Sequence, residues 1–427
     1  MFTFNDLLSN TIDIQGFSHE NRDKLDECHA ALPNKPIMVR TIRVCLTPHE
    51  GCETSSDNPH YACNQKSFNA RCLEQLVNAS DGAEYSSGTF IWTLFDYYGE
   101  PPSRGLTVSS SYGQYDLCGF PKAAAAWFRT QWLLSGADDE EQQRPDAPFD
   151  TNGATEVYIV ESWESPNNWN ETKGNTTRTI HVYTNAPQVE LLVDTQSQGV
   201  QAVNRMNSDK GTYAEFPNVP WKPGTLTAFA RASNGTEVGM TTTLTNTEAA
   251  ALQLTLDCPS PHTGTGRALH LDGQDVALVR ATVVDTNGNV MHMATHNISF
   301  SIQSGPGRIV GAANGDSHSY QPHHAPWQTA YHGLVRAIVQ VTSMAGLDDE
   351  AKALLASVDA PALLSLSHSY PSLDDADDIV LEASTPGLLK ATLTIPTSTS
   401  SRDSVMAVAS AMAGGSVDFL HGMDLKR

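Results

Sequence analysis

The sequence predicts a multi-domain chain that changes class along its length, α/β at the front and all-β behind. Three observations carry this. Strand and helix patterns alternate over the first 135 residues, a two-residue hydrophobic period takes over after about residue 150, and an acidic, proline-containing segment (GADDEEQQRPDAPFD, 136–150) lies between them. A chain of 427 residues, 40% hydrophobic and 17% charged, has material for two to four ordinary cores.

TIDIQGF (11–17) reads as a short buried strand, and ENRDKLDECHAAL (20–32) as an amphipathic helix stopped by Pro33. PIMVRTIRVC (36–45) is β-branched and predicts a second strand. A long polar, Cys-rich loop follows, then a helix over 68–77. In GTFIWTLFDYYGEPPSRG (88–105) the run Thr89 to Phe95 predicts a buried strand whose C-terminal end opens at Asp96 into a polar turn. KAAAAWFRTQWLL (122–134) is an Ala-rich helix. Beyond the acidic segment the strands are short and alternating: HVYT, VELLVD, and GTLTAFARASNGTEVG with its Asn234–Gly235 hairpin signal. VALVRATVVDTNGNVM (276–291), NISFSIQSGPGRIVG (297–311), 333–343 and 378–396 continue the pattern, which predicts β-sandwiches divided near residue 250. The expected boundaries are 1–135, an acidic linker 136–151, sandwiches 152–249 and 250–397 (with an acidic insertion 344–377), and a tail 398–427.

Charge narrows the function classes. A net charge of −22, from 48 acidic and 26 basic residues, repels phosphate backbones, so no nucleic-acid partner is expected. No stretch approaches the roughly 18 consecutive apolar residues of a spanning helix, so no membrane role is expected. The start, MFTFNDLLSN, lacks a basic n-region and an apolar core, and no signal peptide is read there. Five N-x-S/T sequons, at Asn78, Asn170, Asn175, Asn234 and Asn297, lean the other way, toward an extracellular or secretory location. Seven cysteines exclude complete internal pairing. One or two disulfides within 45–72 are expected if the chain matures in an oxidising compartment. No CxxC is present, and neither the His318, His323, His324 cluster nor the acidic run at 374–378 has the spacing of a metal site. No metal and no cofactor is expected.

GTFIWTLFDYYGEP resembles the last barrel strand of glycoside hydrolase family 2, the β-galactosidase group. There a Trp walls the subsite of the cleaved sugar. YGQYDLCGFPKAAAAWFRTQW (112–132) resembles that family's G-x-x-D-x-x-G-F-P-K stretch. VYTNAPQVELLVDTQSQG (182–199) and FPNVPWKPGTLTAFA (216–230) are similar to its sandwich strands, and VRATVVDTNGNV and GAANGD to its immunoglobulin-like C-terminal domain. The resemblance implies the C-terminal part of a (β/α)₈ barrel, incomplete at three strands, followed by two immunoglobulin-like β-sandwiches. A second chain completing the barrel is an implied partner, because open parallel sheets leave unpaired edges.

The same resemblance assigns the site. Trp92 would stack on a β-galactoside-type sugar, Asp96 would bond its hydroxyls, and His19 would line the pocket at the end of an earlier strand. A retaining glycosidase also needs two carboxyl groups roughly 5 Å apart, one to protonate the leaving oxygen and one to attack the anomeric carbon. The family's acid/base Glu belongs to a strand not present here, and Asn170–Glu171 falls in the sandwich region. Aligning Pro36, Met38 and Cys45 with the family's nucleophile strand places Thr41 at the Glu position. Thr cannot replace Glu without an activating base. The expectation is a family member unable to hydrolyse glycosides alone, with no catalytic carboxylate. The alternatives are a carbohydrate-binding or adhesion module built on the sandwiches, and a truncated reading frame of a longer secreted β-galactosidase.

Overall fold

The computed structural model describes residues 11–18, 22–40, 84–99, 108–132, 155–164, 177–203, 213–260, 266–343 and 377–398. Among these, strand outweighs helix 51% to 8%, so β-layers dominate the architecture. The chain forms two compact units: Met1–Thr247 with Gly315–Tyr320, and Glu248–Asn314 with Gln321–Arg427.

The first unit begins with β1 (Gln15–Ser18), α1 (Arg22–Ala31), β2 (Ile37–Arg40) and β3 (Ser86–Phe90). The three strands form a parallel sheet in the order β1-β2-β3. Leu25 and Cys28 share the buried face of α1, Asp23 lies in its first turn and His29 in its last, as the helix dipole favours. Ser18 pairs with Arg40, and Arg40 with Phe90, so all three strands end together on one side of the sheet.

Two strand expectations are corrected. The first strand starts at Gln15, not residue 11, and Ile14 is exposed. The third covers Ser86–Phe90, not Thr89–Phe95, and is not buried: Phe90 is 64% exposed, and Leu94 and Phe95 are also exposed. Pairing advances two residues on β2 (Ile37 to Val39) but three on β3 (Ser86 to Thr89), with Gly88 at φ +115°. That extra residue is a β-bulge, and it needs the conformational freedom of glycine. Past Phe90 the chain leaves the sheet and pairs instead with residues 113–115.

A two-residue antiparallel ladder follows, β4 (Tyr97–Tyr98) with β5 (Ser109–Ser110), and then α2 (Ala123–Trp132). The alanines of α2 permit close packing, and Trp127 and Phe128 are fully buried with Leu25, Cys28, Ile37, Val160 and Tyr183. The helix therefore packs against both the parallel sheet and the strands that come next.

Those strands are β6 (Val157–Ile159), β7 (Thr177–Thr184), β8 (Gln188–Val193), β9 (Gln196–Ala202), β10 (Ala214–Pro220), β11 (Thr225–Arg231) and β12 (Glu237–Leu244). They form two sheets, β10-β7-β6 and β12-β11-β8-β9. Alternate residues of both sheets (Ile180 and Val182, Val189 and Leu191, Leu226 and Ala228) build one core around Trp163. Between β11 and β12 the expected Asn234–Gly235 turn is present: Gly235 has φ +85°, and the Asn234 carboxamide oxygen accepts the Thr236 amide.

The second unit holds β13 (Ala249–Cys258), β14 (Leu269–His270), β15 (Val276–Asp285), β16 (Asn297–Ser304), β17 (Gly307–Ala313), β18 (Trp327–Thr329), β19 (Leu334–Val341), β20 (Ile379–Ser384), β21 (Ala391–Ile395) and β22 (Thr397–Ser398). Its main sheets are β13-β15-β19-β17 and β18-β16-β20-β21. Val279, Ala281, Val335 and Val339 from one sheet meet Ile298, Leu381 and Ala383 from the other. The helix expected over 68–77, the acidic linker, the insertion and the tail lie outside the described residues, as does the Cys-rich loop. Cys28 and Cys258 are free thiols.

One buried cluster ties the first unit to pH. His181 on β7 sets Nδ1 2.6 Å from Glu161 and Nε2 3.4 Å from Glu215 on β10. Burial pulls the imidazole pKa down, but Glu161 and then Glu215 outweigh it, and the net shift is upward. A folded pKa above the unfolded value of about 6.5 means the pair's stabilisation is complete below that pH. It is lost as pH rises through the folded value. The denaturant midpoint should fall between pH 6 and pH 8 in the native chain and fall less in His181→Gln. Equal pH dependence in the two proteins would remove His181 as the cause.

Candidate functional site

Open parallel sheets place ligands beyond the C-terminal ends of their strands. Here that end is marked by Ser18, Arg40 and Phe90, which are paired side by side. His19 and Thr41, the residues next in sequence, lie outside the described residues. Trp92 is described and is 39% exposed, a large share for an indole. Its Nε1–H donates to the Tyr97 hydroxyl at 3.1 Å, and the two rings meet edge to face at 5.8 Å. Trp92 and Tyr97 together make an aromatic pair fixed in orientation.

What holds it lies beneath. Asp96 is 7% exposed and points into the protein, where Oδ1 accepts the amide of Gly113 and the ammonium of Lys122, each at 2.7 Å. The structure thus gives Asp96 a supporting contact where the sequence suggested a ligand contact. Lys122 is buried as well. Burial pushes its pKa down, and the Asp96 charge and hydrogen bond oppose that. Backbone bonds stitch the same crossing: Gln114 to Thr93, Tyr115 to Leu94, and Asp96 to Tyr115. Gly113 is required here, since a Cβ would strike the backbone of Phe95 and Asp96. Asp116 fixes the next turn, its Oδ1 accepting the amides of Cys118 and Phe120 at 2.8 and 2.9 Å.

Sequence reasoning singled out Trp92, and the structure describes it as a partly exposed indole bonded to Tyr97. The same reasoning missed Lys122, whose place in the GFPK stretch marked it only as a motif letter, and it missed the part played by Gly113.

Comparison with known proteins places this arrangement. Residues 263–347 match the family model for glycoside hydrolase family 2 C-terminal domain 5, and residues 175–239 match a domain of unknown function (DUF4982). A β-galactosidase of Bacteroides ovatus is 25% identical over 78% of this chain and 36% of its own length. A β-glucuronidase of Formosa agariphila is 28% identical over 60% of this chain and 22% of its own length. Among solved structures, a β-glycosidase from Bacteroides vulgatus superposes with a TM-score of 0.63 at 18% identity, covering 91% of this chain and 46% of that one. A family 2 glycosyl hydrolase from Bacteroides cellulosilyticus gives 0.61 at 18% identity, over 90% and 42%. Sequence and fold together define a glycosidase-like protein. Within that class the chain resembles glycoside hydrolase family 2, as its motifs implied, with that family's C-terminal domain matched at 263–347, and it spans about a third of the Bacteroides ovatus relative, at 36%.

Removing the Lys122 ammonium takes the counter-charge from the buried Asp96 carboxylate. Breaking one side of such a pair costs about 3–5 kcal/mol. Lys122→Met should therefore lose about that much in urea denaturation, and the Lys122→Met/Asp96→Asn double variant should lose less. A single-variant loss below about 1 kcal/mol would contradict the role given to the pair.

Proposed function

We propose that the chain is the C-terminal part of a family 2 β-glycosidase scaffold. In this reading it is an incomplete (β/α)₈ barrel followed by two immunoglobulin-like sandwiches, which binds a β-galactoside-type sugar on Trp92 and does not hydrolyse it alone. The observation that carries the binding half is the oriented, partly exposed indole of Trp92 at the C-terminal end of the parallel sheet. A sugar's axial C–H face needs such a ring, and Tyr97 fixes this one before a ligand arrives. Asp96 enters as a positioning residue beneath it, and His19 as a further lining residue.

The catalytic half rests on chemistry. The covalent route demands a nucleophilic carboxylate and an acid/base carboxyl. By alignment the nucleophile position holds Thr41. A second chain carrying further βα units is the partner this reading names. It is supported by two facts: β1 and β3 each have a single strand neighbour among the described residues, and Phe90, Leu94 and Phe95 are exposed.

Two measurements test it. The purified chain should release no nitrophenol from a chromogenic β-galactoside, and galactose should bind natively but more weakly to Trp92→Ala in calorimetry. Measurable turnover of that substrate by the purified chain would overturn the inactive reading. Unchanged binding in Trp92→Ala would overturn the site.

A further inference from the structure

Two of the N-x-S/T sequons lie among the described residues, and their settings differ. Asn234–Gly235–Thr236 forms the tip of the β11–β12 hairpin, where all three residues are exposed. Asn297–Ile298–Ser299 opens β16. There Ile298 is fully buried in the core, and Ser299 is held between Trp327 of β18 and Ser384 of β20.

Local bonds fix the hairpin tip. The Ala232 amide donates to the Thr236 carbonyl and the Gly235 amide to the Ala232 carbonyl, each at 2.8 Å. Arg231, itself bonded to Glu190, donates from Nη1 to the Gly235 carbonyl at 3.1 Å. Asn234 Oδ1 accepts the Thr236 amide at 2.9 Å, an Asx turn that folds the carboxamide back onto the third residue of its own sequon. A bond to that oxygen draws electron density from the amide and makes the Nδ2 protons more acidic, which favours attack by nitrogen. Among the described residues nothing engages Asn234 Nδ2 or the Thr236 hydroxyl, the two groups that define the motif.

We propose that Asn234, and not Asn297, is an N-glycosylation acceptor of the folded chain. The co-substrate is an oligosaccharide carried on a polyisoprenyl pyrophosphate, and the partner is an oligosaccharyltransferase that reads N-x-S/T. Nδ2 attacks the anomeric carbon and a C–N bond forms. The bond from that carbon to the pyrophosphate oxygen breaks, and the lipid pyrophosphate leaves with the electron pair. One Nδ2 proton passes to a base of the transferase, and nothing is oxidised or reduced. A bulky, hydrated glycan at the hairpin tip displaces no core side chain. At Asn297 the transferase would have to reach round a strand whose Ser299 has a neighbour on each side.

The full chain, made in a bacterial host that adds no such glycan, is incubated with purified oligosaccharyltransferase and a lipid-linked oligosaccharide, and its peptides are mapped by mass spectrometry. The native chain should gain one glycan mass at Asn234 and none at Asn297. A proteolytic digest of the same chain, in which no sheet survives, should be modified at both. Thr236→Ala should lose the modification at Asn234, and Thr236→Ser should keep it. An unmodified Asn234 in the native chain overturns the assignment, as does equal modification of Asn234 and Asn297 there. Modification that persists in Thr236→Ala overturns it too.

Discussion

The structure around the site depends on one buried contact, the Lys122 ammonium against the Asp96 carboxylate at 2.7 Å. Each charge is tolerable in the interior only because of the other. Asp96 follows directly on the segment that leaves the sheet, and Lys122 stands immediately before α2. The pair therefore ties the chain after β3 to the start of a helix whose Trp127 and Phe128 fill the core. Local geometry and global packing meet at that point, and the aromatic surface inherits its rigidity from both.

Elements governed by local pattern were legible in the sequence. The apolar spacing of 22–31 and 123–132, the alternation in the sandwich strands and the Asn234–Gly235 turn each declare themselves over a few residues. The family motifs were legible too. What escaped depended on distant partners. A run of β-branched and aromatic residues from Thr89 to Phe95 looks like a buried strand, and only the competing pairing with 113–115 shows that most of it leaves the sheet. Asp96 reads as a polar residue at a strand end. Its companion is 26 positions away, and no spacing rule joins them.

Scaffold and chemistry separate clearly in this chain. The layers, the sandwich cores and the match to family 2 describe a framework shared by proteins of several named activities, β-galactosidase and β-glucuronidase among them. The fold therefore identifies the framework, and the reaction is a matter for the side chains at its strand ends.

The glycine bulge in β3 has a quieter effect. Because side chains along an extended backbone face opposite ways in turn, one supernumerary residue reverses the parity of everything downstream. Gly88 thus acts as a phase shifter. It determines the face of the sheet to which Phe90, the last residue of the strand, presents its ring, and that ring is left 64% exposed.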